Sequence, residues 1–194
     1  MKKLLFLSLL LLNCISGFAQ VEWDESDYSA GDYSRRWYWH FPHDSYHTWT
    51  RQDGLEAHTA FRAFQPQTGM VAFVNINAFH SKPTGNIFDL YYKMGAVFES
   101  QDVKMKDRGV IVYDRVYDPY SLNGTDAIRV YYKQKSKNGK TGKYEIGHCL
   151  SYYLMNDEGL YIIAVKCSNA SFVKYGMAYM EGIAKGFILM EIEQ

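Results

Sequence analysis

Between positions 58 and 167 the chain repeats one pattern, a strand-type run followed by a short cluster of turn residues. Pro66-Gln67-Thr68-Gly69, Asn123-Gly124 and Asn156-Asp157-Glu158-Gly159 are turn chemistry, and each lies between runs rich in Val, Ile, Tyr and Phe. Connections this short join antiparallel neighbours, because a parallel crossover needs a dozen or more residues. The predicted strands are 36–42, 58–64, 70–79, 110–117, 127–133, 143–154 and 160–167, with Pro42 stopping the first and Asp118-Pro119 the fourth. Lys82-Pro83-Thr84-Gly85-Asn86 interrupts the pattern. Asn86 then caps a predicted helix over about 87–99, on which Ile87, Leu90, Tyr91, Met94 and Phe98 recur at three and four residues. A second helix is predicted over 171–190, with Phe172, Tyr175, Tyr179, Ile183 and Phe187 on one stripe. The sum is a single α+β domain over 36–194, an antiparallel sheet of about six or seven strands between helical layers (an α/β/α sandwich). Residues 20–35, with Glu22, Asp24, Glu25, Asp27 and Asp32 and almost no apolar period, read as a mobile acidic leader.

The start of the chain has the three parts of a secretory signal peptide. Lys2 and Lys3 precede an apolar run from Leu4 to Leu12, and Gly17 and Ala19 are the small residues a peptidase reads. The run is too short to span a bilayer. Cleavage after Ala19 would leave a mature chain beginning at Gln20, exported to the periplasm or beyond, with no transmembrane segment. Cys14, at the end of the apolar run, is the alternative acceptor for a lipid anchor, but Asn13 before it is larger than that chemistry prefers.

Removing residues 1–19 takes away Lys2 and Lys3 and leaves 19 basic against 21 acidic side chains. A nearly neutral chain lacks the electrostatic footprint of a nucleic-acid binder. Aromatic residues make up 16% of the chain, seventeen of them tyrosines, which suits half-exposed pleated surfaces. The mature form keeps Cys149 and Cys167. If residues 157–159 form a three-residue loop, Asn156 pairs with Leu160, and Cys149 stands opposite Cys167 as a candidate disulfide. A four-residue loop shifts the pairing by one and puts the thiols on opposite faces as ordinary small core residues.

Few motifs carry chemistry. His40, His43, Asp44 and His47 are the densest polar cluster and the candidate metal ligands, although Pro42 and the aromatic run argue against the helix that would give them a common face. His58 and His80 lie elsewhere, and His148 falls in a strand. Gly139-Lys140-Thr141 superficially matches a phosphate-binding loop, but Gln134 stands where the first glycine belongs and strands flank it on both sides. The lysines around it read as a solvated hairpin tip that guards strand edges, with an anionic partner as the alternative. No nucleophile elbow, zinc-protease motif or paired acid and base is found, so the chain is expected to be non-catalytic and cofactor-free. Trp37, Trp39 and Trp49 are candidate platforms for sugar rings, against the ordinary reading of core packing. Asn123-Gly124-Thr125 and Asn169-Ala170-Ser171 fit the glycosylation sequon, which matters only in a eukaryotic secretory pathway.

The order of elements resembles the PsbP-like fold superfamily, shared by thylakoid-lumen extrinsic proteins and a Ran-GTPase release factor. The residues that carry it are Trp39-His40-Phe41-Pro42 followed by Trp49, the strand Phe73-Val74-Asn75-Ile76-Asn77, the strand Gly159 to Ala164, and the closing pattern from Phe172 to Phe187. The resemblance implies an antiparallel sheet and a non-catalytic, partner-binding role. It brings no catalytic residues with it. Together these readings point to an exported binding or accessory protein of the bacterial envelope, whose partner is an unknown envelope protein. A glycan-binding module is the alternative, and a histidine-cluster metalloprotein a further one.

Overall fold

The computed structural model describes residues 21–55, 57–79, 85–139 and 141–190, so the signal segment, Cys14, Gln20 and His80 lie outside the described residues. Eleven strands and three helices follow one another along these residues. They are β1 (Glu22–Asp24), β2 (Ser29–Asp32), β3 (Trp37–His40), β4 (Thr50–Arg51), β5 (Thr59–Gln65), β6 (Met70–Ala78), α1 (Ile87–Tyr91), α2 (Met94–Asp107), β7 (Val110–Leu122), β8 (Thr125–Lys137), β9 (Tyr144–Met155), β10 (Gly159–Ser168), α3 (Asn169–Ala184) and β11 (Phe187–Leu189). They form two antiparallel sheets, one of seven strands in the order β4-β5-β6-β10-β9-β8-β7 and one of four in the order β1-β2-β3-β11.

The large sheet has two faces of different character. Its inner face presents Phe61, Ala63, Ala72, Val74, Ile76, Leu150, Tyr152, Leu154, Tyr161, Ile163 and Val165 to a core completed by Trp37, Trp39 and Phe187 of the small sheet and Met180 and Ile183 of α3. Its outer face packs Ile128, Val130 and Tyr153 against Ile87 of α1 and Met94 and Phe98 of α2. Alternation along each strand produces this division, since successive side chains leave opposite sides. The hairpin from β7 to β8 turns at Asn123 and Gly124, both at positive φ (52° and 86°), which is the two-residue turn that matches strand twist.

Several expectations are corrected here. The residues read as a mobile leader are β1 and β2, and Ser29, Ala30, Gly31 and Asp32 are all buried. Backbone pairing to β3 orders this segment without an apolar period of its own. The single helix over 87–99 is two, α1 and α2, separated at Tyr92 and Lys93; Ile87, Met94 and Phe98 are nevertheless buried together as the spacing implied. Asn86 does cap α1, accepting from the backbone N–H of Phe88 and Asp89.

The last helix is interrupted at Gly176, whose φ of 77° is non-helical, and ends at Ala184; Phe187 belongs to β11, paired with Trp39 of β3. Gly186 makes that return possible, because a Cβ there would collide with the carbonyl oxygen of His40. As a result one face of the large sheet is covered by a small sheet together with α3, so the helical layer expected on both sides is replaced on this one. Strand β7 also continues through Asp118 and Pro119 to Leu122, since proline is tolerated on an edge strand.

Candidate functional site

Trp37 and Trp39 are completely buried and Trp49 is 3% exposed, which corrects their reading as a sugar platform. Trp37 stacks on Phe187 with ring centroids 6.0 Å apart, and the indole N–H of Trp39 donates to the Ile183 carbonyl at 2.9 Å. No sugar face can reach an indole whose faces are already occupied. His40, His43, Asp44 and His47 lie on the strand end and loop after β3. Asp44 accepts from the backbone N–H of Tyr46 and His47, each at 2.7 Å, and contacts the His47 ring at 2.9 Å. The His47 hydrogen bond is the main reason its carboxyl is held down at about 2. His43 is turned instead to the Phe41 carbonyl, 3.1 Å from Nδ1. These four side chains do not converge, and among the described residues no three His, Cys, Asp or Glu side chains come close enough to hold a metal.

The disulfide is corrected by register. The side chain of Asn156 accepts from the backbone N–H of Glu158 and Gly159, at 2.9 and 3.1 Å, and shapes a four-residue loop. Met155 therefore pairs with Leu160, Cys149 stands opposite Lys166, and Cys167 opposite His148. Both thiols are free and buried. Cys167 belongs to the inner core and Cys149 to the outer face. His148 is packed into the inner face: it stacks on Phe172 at 3.9 Å, with Tyr131 Oη 2.6 Å from Nδ1 and Asn169 Oδ1 2.9 Å from Nε2.

A different place has the character of a binding site. Helices α1 and α2 leave part of the outer face open. Tyr132, Cys149, Lys166, Val71 and Phe64 follow one another across β8, β9, β10, β6 and β5, and Val130, Ser151, Ala164, Phe73 and Arg62 form the next row. Cys149, Ser151 and Ala164 are small and buried, with Phe73 beside them and Tyr132 and Val71 packed against them, so they form the closed floor of a shallow trough. Gly147 keeps its end low, since an added Cβ would press on the Gln134 side chain and the Cys167 carbonyl at 3.3 Å. Concavities of about 210 and 250 Å³ border Tyr132 and Gln134, the first against Gln101, Asp102 and Arg108 of the α2 end, the second against Val71, Glu145 and Lys166.

Cations dominate its rim. Arg62 and Lys166 both lie over the Phe73 ring, 5.9 and 4.9 Å from its centroid. The strand β7 changes register between Tyr113 and Val116, with Asp114 at φ 52°, and this bulge turns Arg115 toward α2. There Arg115 donates to both oxygens of Asp102, at 2.8 and 2.5 Å, and its guanidinium lies 4.2 Å above the Phe98 ring. Lys104 and Arg108 complete the wall. Burial, with the Cys149 thiol beside it, pushes the Tyr132 hydroxyl far above the ordinary phenol range, so it stays neutral. The arrangement offers positive charge above a buried apolar floor, with half-buried Val71 and Phe64 beside it, which suits an anionic ligand with an apolar body.

None of these residues was a candidate from the sequence. The available signal was the period-two spacing of Arg62 with Phe64 on β5 and of Val71 with Phe73 on β6. Only the pairing of β6 with β10, far apart in the chain, brings Lys166 beside them.

No family model matches the chain, and no curated protein matches it. Among solved structures it is similar to cyanobacterial PsbP (CyanoP) from Synechocystis sp. PCC 6803, with a TM-score of 0.50 and 12% identity over 90% of this chain and 95% of that one. The chain has a PsbP-like fold.

Proposed function

We propose that this is an exported, non-catalytic binding or accessory protein of the bacterial envelope, and that its outer-face trough takes an acidic segment of a partner protein. The observation that carries the reading is the charge of the trough. Arg62, Lys104, Arg108 and Lys166 border it beside the Arg115–Asp102 ion pair, and the remaining carboxylate, Glu145, accepts from Asn138 at 2.7 Å. Complementary charge speeds and selects such an encounter, while half-buried Val71 and Phe64 supply apolar contact. The signal-like start supports export, and among the described residues no helix is long and apolar enough to cross a membrane. The likeness in fold to CyanoP is compatible with an accessory role.

Two measurements test the reading. Intact mass of protein recovered from the envelope should correspond to a chain beginning at Gln20; a product retaining Met1, or a diacylated Cys14, overturns cleavage after Ala19. Titration of the mature protein with a short poly-glutamate peptide should show binding that weakens as salt rises and is lost in the Arg62→Glu/Lys166→Glu variant. Binding unchanged by that double reversal, or equal binding of poly-lysine, refutes the trough as the site.

A further inference from the structure

The hairpin arm formed by the far ends of β7, β8 and β9 carries a second surface, on the opposite side of the sheet from the trough. Helix α3 covers the inner face only as far as His148, which Phe172 caps at 3.9 Å. Beyond it Ile111, Lys135 and Ile146 stand in one cross-strand row, and Lys137 stands opposite Tyr144 in another. Ile111 is 53% exposed, Ile146 40% and Tyr144 60%, and no described residue packs over them as a core. The Lys135 ammonium rests 4.8 Å above the Tyr144 ring.

Lysines predominate on this side. Lys133, Lys135 and Lys137 alternate along β8 and so share a face, and Lys143 is exposed at the loop that joins the strands. Glu145, at an odd step from Tyr144 and Ile146, belongs to the other face and is held by Asn138. Asp114 at the bulge binds Lys133 at 2.9 Å. Two isoleucines and a tyrosine are thus presented among lysines at the end of a projecting ribbon.

We infer that this face of the arm rests on an anionic bilayer surface. A protein partner is the poorer fit, because lysine is depleted in protein interfaces. A lipid headgroup layer accommodates the same mixture: tyrosine at headgroup depth, lysine stems along the apolar surface with ammoniums toward phosphates, and short aliphatics at the acyl boundary. So few apolar side chains cannot anchor a protein permanently. The contact is reversible and strengthened by lipid charge.

Co-sedimentation with vesicles tests it, using the mature protein against phosphatidylglycerol mixed with phosphatidylcholine and against phosphatidylcholine alone. Binding should require the anionic lipid and fall as salt rises. Lys135→Gln and Lys137→Gln should each weaken it roughly fivefold, the factor expected for one lysine at a charged surface. Ile111→Ser/Ile146→Ser should weaken it further at fixed charge. Because these side chains are exposed, each variant should keep the wild-type melting temperature, which separates lost binding from lost fold. Arg62→Glu/Lys166→Glu should bind vesicles normally, so failure of the trough reading and failure of this one are distinguishable. Three results overturn it: equal binding to phosphatidylcholine, binding indifferent to the arm variants, or inhibition by inorganic phosphate equal to that by anionic vesicles, which would mark a free-anion site. Poly-glutamate binding that depends on Lys135 and Lys137, with no vesicle binding, would assign the arm to a protein instead.

Discussion

The two faces of the seven-stranded sheet are built from the same strands and meet different fates. On the inner face Tyr152, Tyr161, Phe61 and Val74 are enclosed by a second sheet and α3, and their exposure falls to 1% or less. On the outer face α1 and α2 close over Ile128, Val130 and Tyr153 but stop short of β5 and β6, where Phe73 is covered instead by the stems of Arg62 and Lys166. Cation stems are a removable cover. A sheet packed over most of one side can therefore leave part of the other side free for binding without losing its core, because the apolar burial that holds the domain is concentrated on the inner side.

That contrast can be broken most directly at Phe187. Phe187→Ala should cost about 3–5 kcal/mol in urea unfolding, since it opens a cavity between Trp37 and Trp39. A loss below about 1 kcal/mol would mean that the small sheet does not close the inner core. Arg115→Ala on the outer face should cost only about 1 kcal/mol, because the Asp102 side chain is 42% exposed and solvent screens the pair. A cost comparable to that of Phe187→Ala would make the outer face as structural as the inner.

Smaller effects sharpen the picture. Asp44 is held at about 2, chiefly by its hydrogen bond with His47. A depressed carboxyl stabilises above the unfolded carboxylate range and loses that contribution as pH falls toward 2. Asp44→Asn should therefore lower the melting temperature slightly at neutral pH, and the gap should close in acid; a constant gap would assign the effect to packing. The smallest expected change is none at all. With Cys149 and Cys167 on opposite faces, reductant should leave the melting temperature unmoved, and thiol titration in denaturant should count two. In native protein Cys167 should react slowly, because burial pushes its thiol up to about 11. Its neutral form contributes fully below the ordinary thiol range near 9 and loses that contribution as pH rises toward 11. A single oxidised pair would overturn the observed register.

Much of the fold was legible because its signals are local. Turn residues placed the β5–β6, β7–β8 and β9–β10 connections, and the capping residue Asn86 placed a helix start. The candidate site was not legible. The aromatic residues that looked most like a binding shelf, Trp37, Trp39 and Trp49, fill the core, and the rim that carries charge draws Arg62, Arg115 and Lys166 from three segments far apart in the chain. The thiol pairing turned on one loop residue, since the Asn156 side chain selects a four-residue loop and moves Cys149 one step from Cys167.

What the sequence determined by itself was periodicity: where strands alternate, where turns fall, and that Phe172 to Ile183 recurs at helical spacing. The tertiary structure decided partners. It drew the acidic segment at 22–32 into a sheet and ended α3 so that Phe187 could pair with Trp39. It also left part of each face of the large sheet uncovered. The reason is physical: a period reflects the geometry of neighbouring residues, whereas pairing and burial depend on which distant surface happens to compete best for the same backbone groups and apolar side chains.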